Sequence, residues 1–212
     1  MHQYILNAVK KIPVKYLKHP TNLIDVPQFE QINLETICNK ENLTIIQLGQ
    51  QLRVMSSIYQ LKYPGKKMWL TGTSDLDKMQ KLLTQECAWL DKKIDIDSVE
   101  MAYVTDMETY NDLIYNNIIL IDLVDASANN AILELAAAKI PFFVKKLPSI
   151  VEYIGYKYPM FFEDLSEVEN ILEDKQELTN RLTQSTEYLS QLDTSTFSHD
   201  IFASNLLKIA NM

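Results

Sequence analysis

The residues best suited to chemistry lie in one short stretch, Asp122-Leu123-Val124-Asp125-Ala126-Ser127-Ala128-Asn129-Asn130-Ala131-Ile132-Leu133-Glu134. Small polar residues lead here into an alanine-rich segment of helical character. The start of a helix presents unpaired amide donors and a partial positive charge, which suits a phosphate. Small side chains at Ser127, Ala128, Asn129 and Asn130 let an anion approach the backbone, and Ser127 or Asn129 can cap the helix. Glu134 falls one to two turns in, where its carboxylate can reach back and accept hydrogen bonds from sugar hydroxyls. The plainer alternative is a capped helix with a solvent-facing glutamate. A second candidate is Gly49-Gln50-Gln51-Leu52-Arg53, a glycine at a strand end followed one turn later by a guanidinium whose fork geometry fits an anion. A third is Lys145-Lys146-Leu147-Pro148, two lysines before a proline-started helix.

Other chemistries find little support. His2, His19 and His199 are scattered, and no nucleophile–base pair can be assembled for a hydrolase. Cys38 and Cys87 have no metal-like spacing and sit among apolar neighbours, as core thiols do. With four glycines in 212 residues, the chain has neither a dinucleotide fingerprint nor a P-loop. The net charge of -8 argues against a nucleic-acid partner, because duplex binding needs a basic face. No apolar run reaches the roughly 18 residues that span a membrane, and the N-terminus lacks a signal-peptide layout. A cytoplasmic location follows by default.

The elements that must position these residues are legible from 43 onward. Apolar runs at 43–48, 68–71, 99–104, 118–123, 140–144 and 158–162 read as strands. Helical spacing falls between them at 52–63, 75–92, 107–115, 128–138 and from Pro148, followed by helices over 164–193 and 196–211. Strands that are apolar throughout, with a helix between each pair, belong to a parallel sheet covered on both faces. The expected fold is α/β, a doubly wound, mostly parallel, Rossmann-like sheet of about six strands with C-terminal helices. Such sheets bind ligands at the carboxyl ends of their strands, at the switch point in strand order. Pro13, Pro20 and Pro27 break regular structure, so 1–41 reads as an N-terminal helix and extended connector. The Rossmann-like domain then covers 42–195, and 196–212 is a terminal helix.

Taken in order, Gly-x-x-x-Arg at 49–53, Leu-Thr-Gly at 70–72, Asn-Asn-Ala-Ile-Leu-Glu-Leu-Ala-Ala-Ala-Lys-Ile-Pro at 129–141 and Leu-Pro-x-Ile-Val-Glu-Tyr-Ile-Gly at 147–155 resemble a known family. It is the C-terminal, donor-binding domain of GT-B glycosyltransferases of the group 1 type, over residues 13–211. The resemblance implies a nucleotide-sugar ligand, UDP- or GDP-linked, and no further cofactor. It implies that Glu134 binds the ribose, that Ser127 to Asn130 face the diphosphate together with Gly49 and Arg53, and that Tyr103, Val104 and Thr105 border the base. Arg53 and Glu134 are then the residues closest to catalysis. His19-Pro20-Thr21 resembles an interdomain linker, and 196–211 resembles a helix that crosses back toward the other half. That acceptor-binding half would come from a longer parent or a partner chain; a homo-oligomer stays open. Two family positions are changed, with Ala126 where a second glutamate is usual and Ile58 where a lysine is usual. Two readings therefore stand: the donor half of a sugar-transferring enzyme, or a non-catalytic nucleotide-binding or interaction module on the same fold, with apolar surface on 1–12 or the last helix.

Overall fold

A computed structural model describes residues 17, 18, 20, 21, 37, 43–125 and 129–211. Six strands, β1 (Thr44–Leu48), β2 (Lys66–Leu70), β3 (Glu100–Ala102), β4 (Ile118–Ile121), β5 (Phe142–Lys145) and β6 (Phe161–Phe162), form one sheet. Its order is β3-β2-β1-β4-β5-β6, and every pairing is parallel. Ile46 lies opposite Met68 on one side and Ile119 on the other, and Ile119 lies opposite Phe142. All four residues are buried, as expected of central strands covered on both faces. The order reverses between β1 and β4, so the switch point falls beside the two loops that carry Gly49–Arg53 and Asp122–Asn129.

The connecting helices are α1 (Ser57–Gln60), α2 (Leu76–Trp89), α3 (Met107–Tyr115), α4 (Asn130–Ala137) and α5 (Pro148–Ile154). After β6 come α6 (Leu165–Glu173), α7 (Lys175–Gln191), a 3-10 turn at Thr194–Phe197 and α8 (His199–Ala210). Two departures from the expected elements have local causes. The helix expected over 52–63 shrinks to a single turn because its chain is drawn onto the sheet. Buried Gln47 donates from Nε2 to the Met55 carbonyl at 3.2 Å and accepts from the Ile58 amide at 3.1 Å. The continuous helix expected over 164–193 is broken at Asp174, whose carboxylate accepts from the amides of Gln176 and Glu177 and so caps a new helix. A capping box of Asp164 and Glu167 starts α6.

The C-terminal elements pack back on the domain. Leu178, Leu182 and Leu189 of α7 are buried, and the Tyr188 hydroxyl donates to the Ile154 carbonyl at 2.8 Å. Phe197 is buried beside Tyr153, with ring centroids 6.1 Å apart. The Thr21 amide donates to the Phe197 carbonyl at 2.8 Å, which ties the connector to the C-terminal turn. Cys87 is buried and unpaired, while Cys38 lies outside the described residues. No helix among the described residues is long and apolar enough to cross a membrane.

Ile119 is fully buried at the centre of the sheet, between β1 and β5. Its replacement by alanine removes apolar contacts and leaves a cavity. Ile119→Ala is therefore expected to lower the unfolding free energy by about 2–5 kcal/mol, measured by urea denaturation.

Candidate functional site

The two loops at the switch point are joined rather than apart. Arg53 and Leu123 form an antiparallel bridge. It is flanked by hydrogen bonds from the Val54 amide to the Asp122 carbonyl and from the Val124 amide to the Leu52 carbonyl, both 3.0 Å. Leu52 adopts a φ of 57°, a conformation that a leucine rarely holds without support, and the bridge supplies that support. Gly49 turns the chain out of β1 with a φ of 79°.

Arg53 is 9% exposed. Its Nε donates to the Leu48 carbonyl at 3.1 Å, Nη1 to the Gln51 carbonyl at 3.0 Å, and Nη2 to Asn129 Oδ1 at 3.2 Å. The same Asn129 oxygen caps α4 by accepting from the Ile132 amide at 3.4 Å. One side-chain oxygen thus holds both the guanidinium and the start of the helix. Among the described residues no carboxylate lies within 4.0 Å of Arg53. Burial pulls its pKa down to about 10, which leaves it charged at neutral pH. A buried cation beside the positive end of a helix dipole, with no carboxylate of the described residues in reach, is an arrangement that an external anion stabilises.

Glu134 belongs to a different wall. Residues of α3 and α4 line a cleft of about 350 Å³. Val104 and Thr105 also line it, with Tyr110, Asn111 and Ile114 from α3 and Ala131, Glu134 and Leu135 from α4. Glu134 is an exposed residue that borders the cleft with one side. Partial burial against this largely apolar lining raises its pKa above the usual carboxylate value. Tyr110 is pushed up to about 12, first by burial and then by the negative charge of Glu134. Tyr110 hence keeps its proton, so its hydroxyl is a donor and the Glu134 carboxylate an acceptor among the polar groups of the cleft, which also include Thr105, Asp106 and Asn111.

The expected site residues therefore separate. Val104, Thr105 and Glu134 share the α3–α4 cleft, whereas Gly49, Arg53 and Asn129 form the cluster at the strand ends. Asn130 is the first residue of α4 and is exposed. Tyr103 is 41% exposed and does not line the cleft. Ser127 and Ala128 lie outside the described residues. Lys145 donates to the Glu163 carbonyl and lies over the Phe162 ring, 5.7 Å from its centroid.

Tyr110 and Glu86 carry no distinguishing signal in the sequence, and Asp122 stands out there only as the start of the candidate stretch. Tyr110 and Ile114 lie one turn apart on α3 and face the helix of Glu134, a pairing that periodicity alone does not reveal. Asp122, at the end of β4, is buried and accepts from the Ser57 hydroxyl at 2.5 Å. Glu86 of α2 accepts from the amides of Met55 and Ser56 at 3.0 and 2.8 Å. Its carboxylate thereby occupies the amides just before α1, which leaves α4 as the helix start next to Arg53. Among the described residues no group of three or more His, Cys, Asp or Glu side chains could hold a metal ion.

No protein-family model and no curated protein sequence matches the chain. Solved structures do. Sucrose-phosphate synthase from Thermosynechococcus elongatus matches 99% of this chain over 55% of its own, with a TM-score of 0.63 and 11% identity. HepE from Anabaena, in a crystal structure with UDP, matches 93% of this chain over 57% of its own, with a TM-score of 0.61 and 10% identity. The C-terminal domain of a glycosyl transferase group 1 family protein from Francisella tularensis matches 82% of this chain over 94% of its own, with a TM-score of 0.50 and 11% identity. At such identities the likeness is one of fold. That fold is the Rossmann-like C-terminal domain of GT-B glycosyltransferases. The chain spans little more than half the length of the first two structures.

Two outcomes are expected from this geometry. Asn129→Ala removes both the helix cap and the Arg53 acceptor, and should lower stability by about 0.5–2 kcal/mol in chemical denaturation. The raised pKa of Glu134 means that the fold disfavours its ionised form. That penalty is complete above the folded-state pKa and fades as pH falls toward the unfolded-state value. Glu134→Gln should accordingly melt higher than wild type at pH 7, with the difference shrinking toward pH 4.

Proposed function

We propose that this chain is a nucleotide-sugar-binding domain, the donor half of a glycosyltransferase. The nucleoside occupies the α3–α4 cleft, with its base bordered by Val104 and Thr105 and its ribose hydroxyls donating to Glu134. The diphosphate lies at the start of α4 and faces Arg53. The observation that carries this reading is the buried Arg53 guanidinium, which shares Asn129 with a helix start and has no carboxylate within reach among the described residues. Support also comes from HepE, a protein of the same fold seen with UDP.

In sugar transfer the departing diphosphate gathers negative charge. A fixed guanidinium and helix-start amides favour that charge without reorganising. Arg53 is held by two carbonyls and Asn129, so its position is set before any ligand arrives. The donor is the substrate, and the reading calls for no other cofactor. An acceptor-binding half, from a longer parent or a partner chain, supplies the rest of the reaction. On α8 the exposed Ile201, Leu206 and Leu207 offer it apolar contacts. The same exposed residues, together with Ala126 and Ile58 at the changed positions, favour the second reading, a binding module without turnover.

Calorimetry with UDP and GDP tests the donor reading. One of the two should bind wild type, and Glu134→Ala should weaken it at least tenfold; binding of neither removes the proposal. Saturating ligand at a hundred times its dissociation constant should stabilise the fold by about 2.7 kcal/mol in thermal shift. Asn129→Asp places a carboxylate against Arg53. It should raise the melting temperature and weaken the nucleoside diphosphate at least tenfold, while leaving the uncharged nucleoside unaffected.

A further inference from the structure

A second cleft, of about 370 Å³, shares no lining residue with the first. Its walls are Ser57 and Gln60 of α1, Lys62, Lys92, Asp122 after β4 and Lys145 of β5. Asp164, with Leu165, Ser166 and Glu169 of α6, completes them. Asp122 is its buried element, at 7% exposure. Asp122 Oδ2 accepts from the Ser57 hydroxyl at 2.5 Å. Asp122 Oδ1 accepts from no described residue. Burial raises the carboxyl's pKa, and Ser57, Lys145 and Lys92 counter that shift.

Three lysines line the cleft; Lys62 pairs with Glu169 at 3.9 Å, and no ammonium lies within 4.0 Å of Asp122. Lys92 Nζ stands 3.4 Å from the Ser56 hydroxyl, and Lys145 is turned to the Glu163 carbonyl and the Phe162 ring. The free oxygen of Asp122 and the ammonium groups of Lys92 and Lys145 thus share one space without touching. An anion entering it meets Asp122, and a cation meets the lysines. An apolar group would strand all three. A hydroxyl donates and accepts at once, so it can donate to a carboxylate while accepting from an ammonium. Adjacent hydroxyls on a ring can satisfy both signs of charge together, and Ser166 and Gln60 add further polar groups to the wall.

We propose that this second cleft binds a neutral polyhydroxylated ligand of the sugar class, with Asp122 Oδ1 accepting from one hydroxyl and Lys92 donating to its neighbour. The site uses none of the residues assigned to the nucleotide, so it stands whether or not a nucleotide binds. Saturation-transfer NMR with D-glucose on the full chain tests it. Transfer to glucose is expected in wild type, persists with excess UDP, and falls at least fivefold in Lys92→Met and in Asp122→Asn. Melting curves of both variants establish that they fold, and Lys92→Met keeps the test readable if Asp122→Asn does not. No transfer in wild type, suppression by UDP, or undiminished transfer in the folded variants overturns the proposal. So does binding of inorganic phosphate in place of glucose, which would mark an anion site. UDP affinity, read separately by calorimetry, reports on the first cleft, so failure of one assignment leaves the other legible.

Discussion

The bond between Arg53 Nη2 and Asn129 Oδ1 joins the two halves of the sheet where their chain order diverges. β1 feeds the half that contains β2 and β3, and β4 feeds the half that contains β5 and β6. Parallel strands alone would leave the loops of β1 and β4 apart at that point. Here a backbone bridge and a buried guanidinium close the gap, and the same asparagine starts α4. The placement of α4, and with it of Glu134, follows from that junction. Removing water from a guanidinium is unfavourable, and two carbonyls and an amide oxygen compensate only in part, because none carries a full negative charge. On the proposed reading, that uncompensated charge is what would attract the diphosphate.

Around this junction the polar groups divide into separate environments. The α3–α4 cleft is mainly apolar, with Glu134 as an acceptor and Tyr110 as a donor among its polar groups. The cleft around Asp122 is mainly polar and carries both signs of charge. The residues just before α1 are already occupied by Glu86. A ligand with a flat apolar end, hydroxyls and a charged group could not satisfy all its parts in any one of these places. It could do so along the path from the α3–α4 cleft to the start of α4, because that helix borders both.

The C-terminal elements serve the same domain. Asp174 interrupts what periodicity makes look like one helix, and the break lets α7 bury Leu178, Leu182 and Leu189. The 3-10 turn then brings Phe197 against Tyr153 of α5 and bonds to Thr21. After that turn α8 leaves the core; none of its residues is buried, and Ile201, Leu206 and Leu207 stay in solvent.

The parallel sheet, its six strands and the loops to search could all be read from apolar runs alternating with helical periodicity, since burial on both faces writes that pattern directly into the chain. Asn129 as one of two candidate caps, beside Ser127, and Glu134 on the helix behind it were legible for the same reason: capping and helical spacing are local. Tertiary contacts decided the rest. Gln47 lies in the middle of a strand, and only its bonds to Met55 and Ile58 show why α1 is a single turn. Tyr110 faces Glu134 across two helices, and Asp122 meets Ser57 across 65 residues of chain. Whether Arg53 lies on the surface or inside depends on where Asn129 comes to rest, 76 residues away. Periodicity records which side of an element is buried; it does not record what stands opposite, and in this protein the electrostatics of the site are set by what stands opposite.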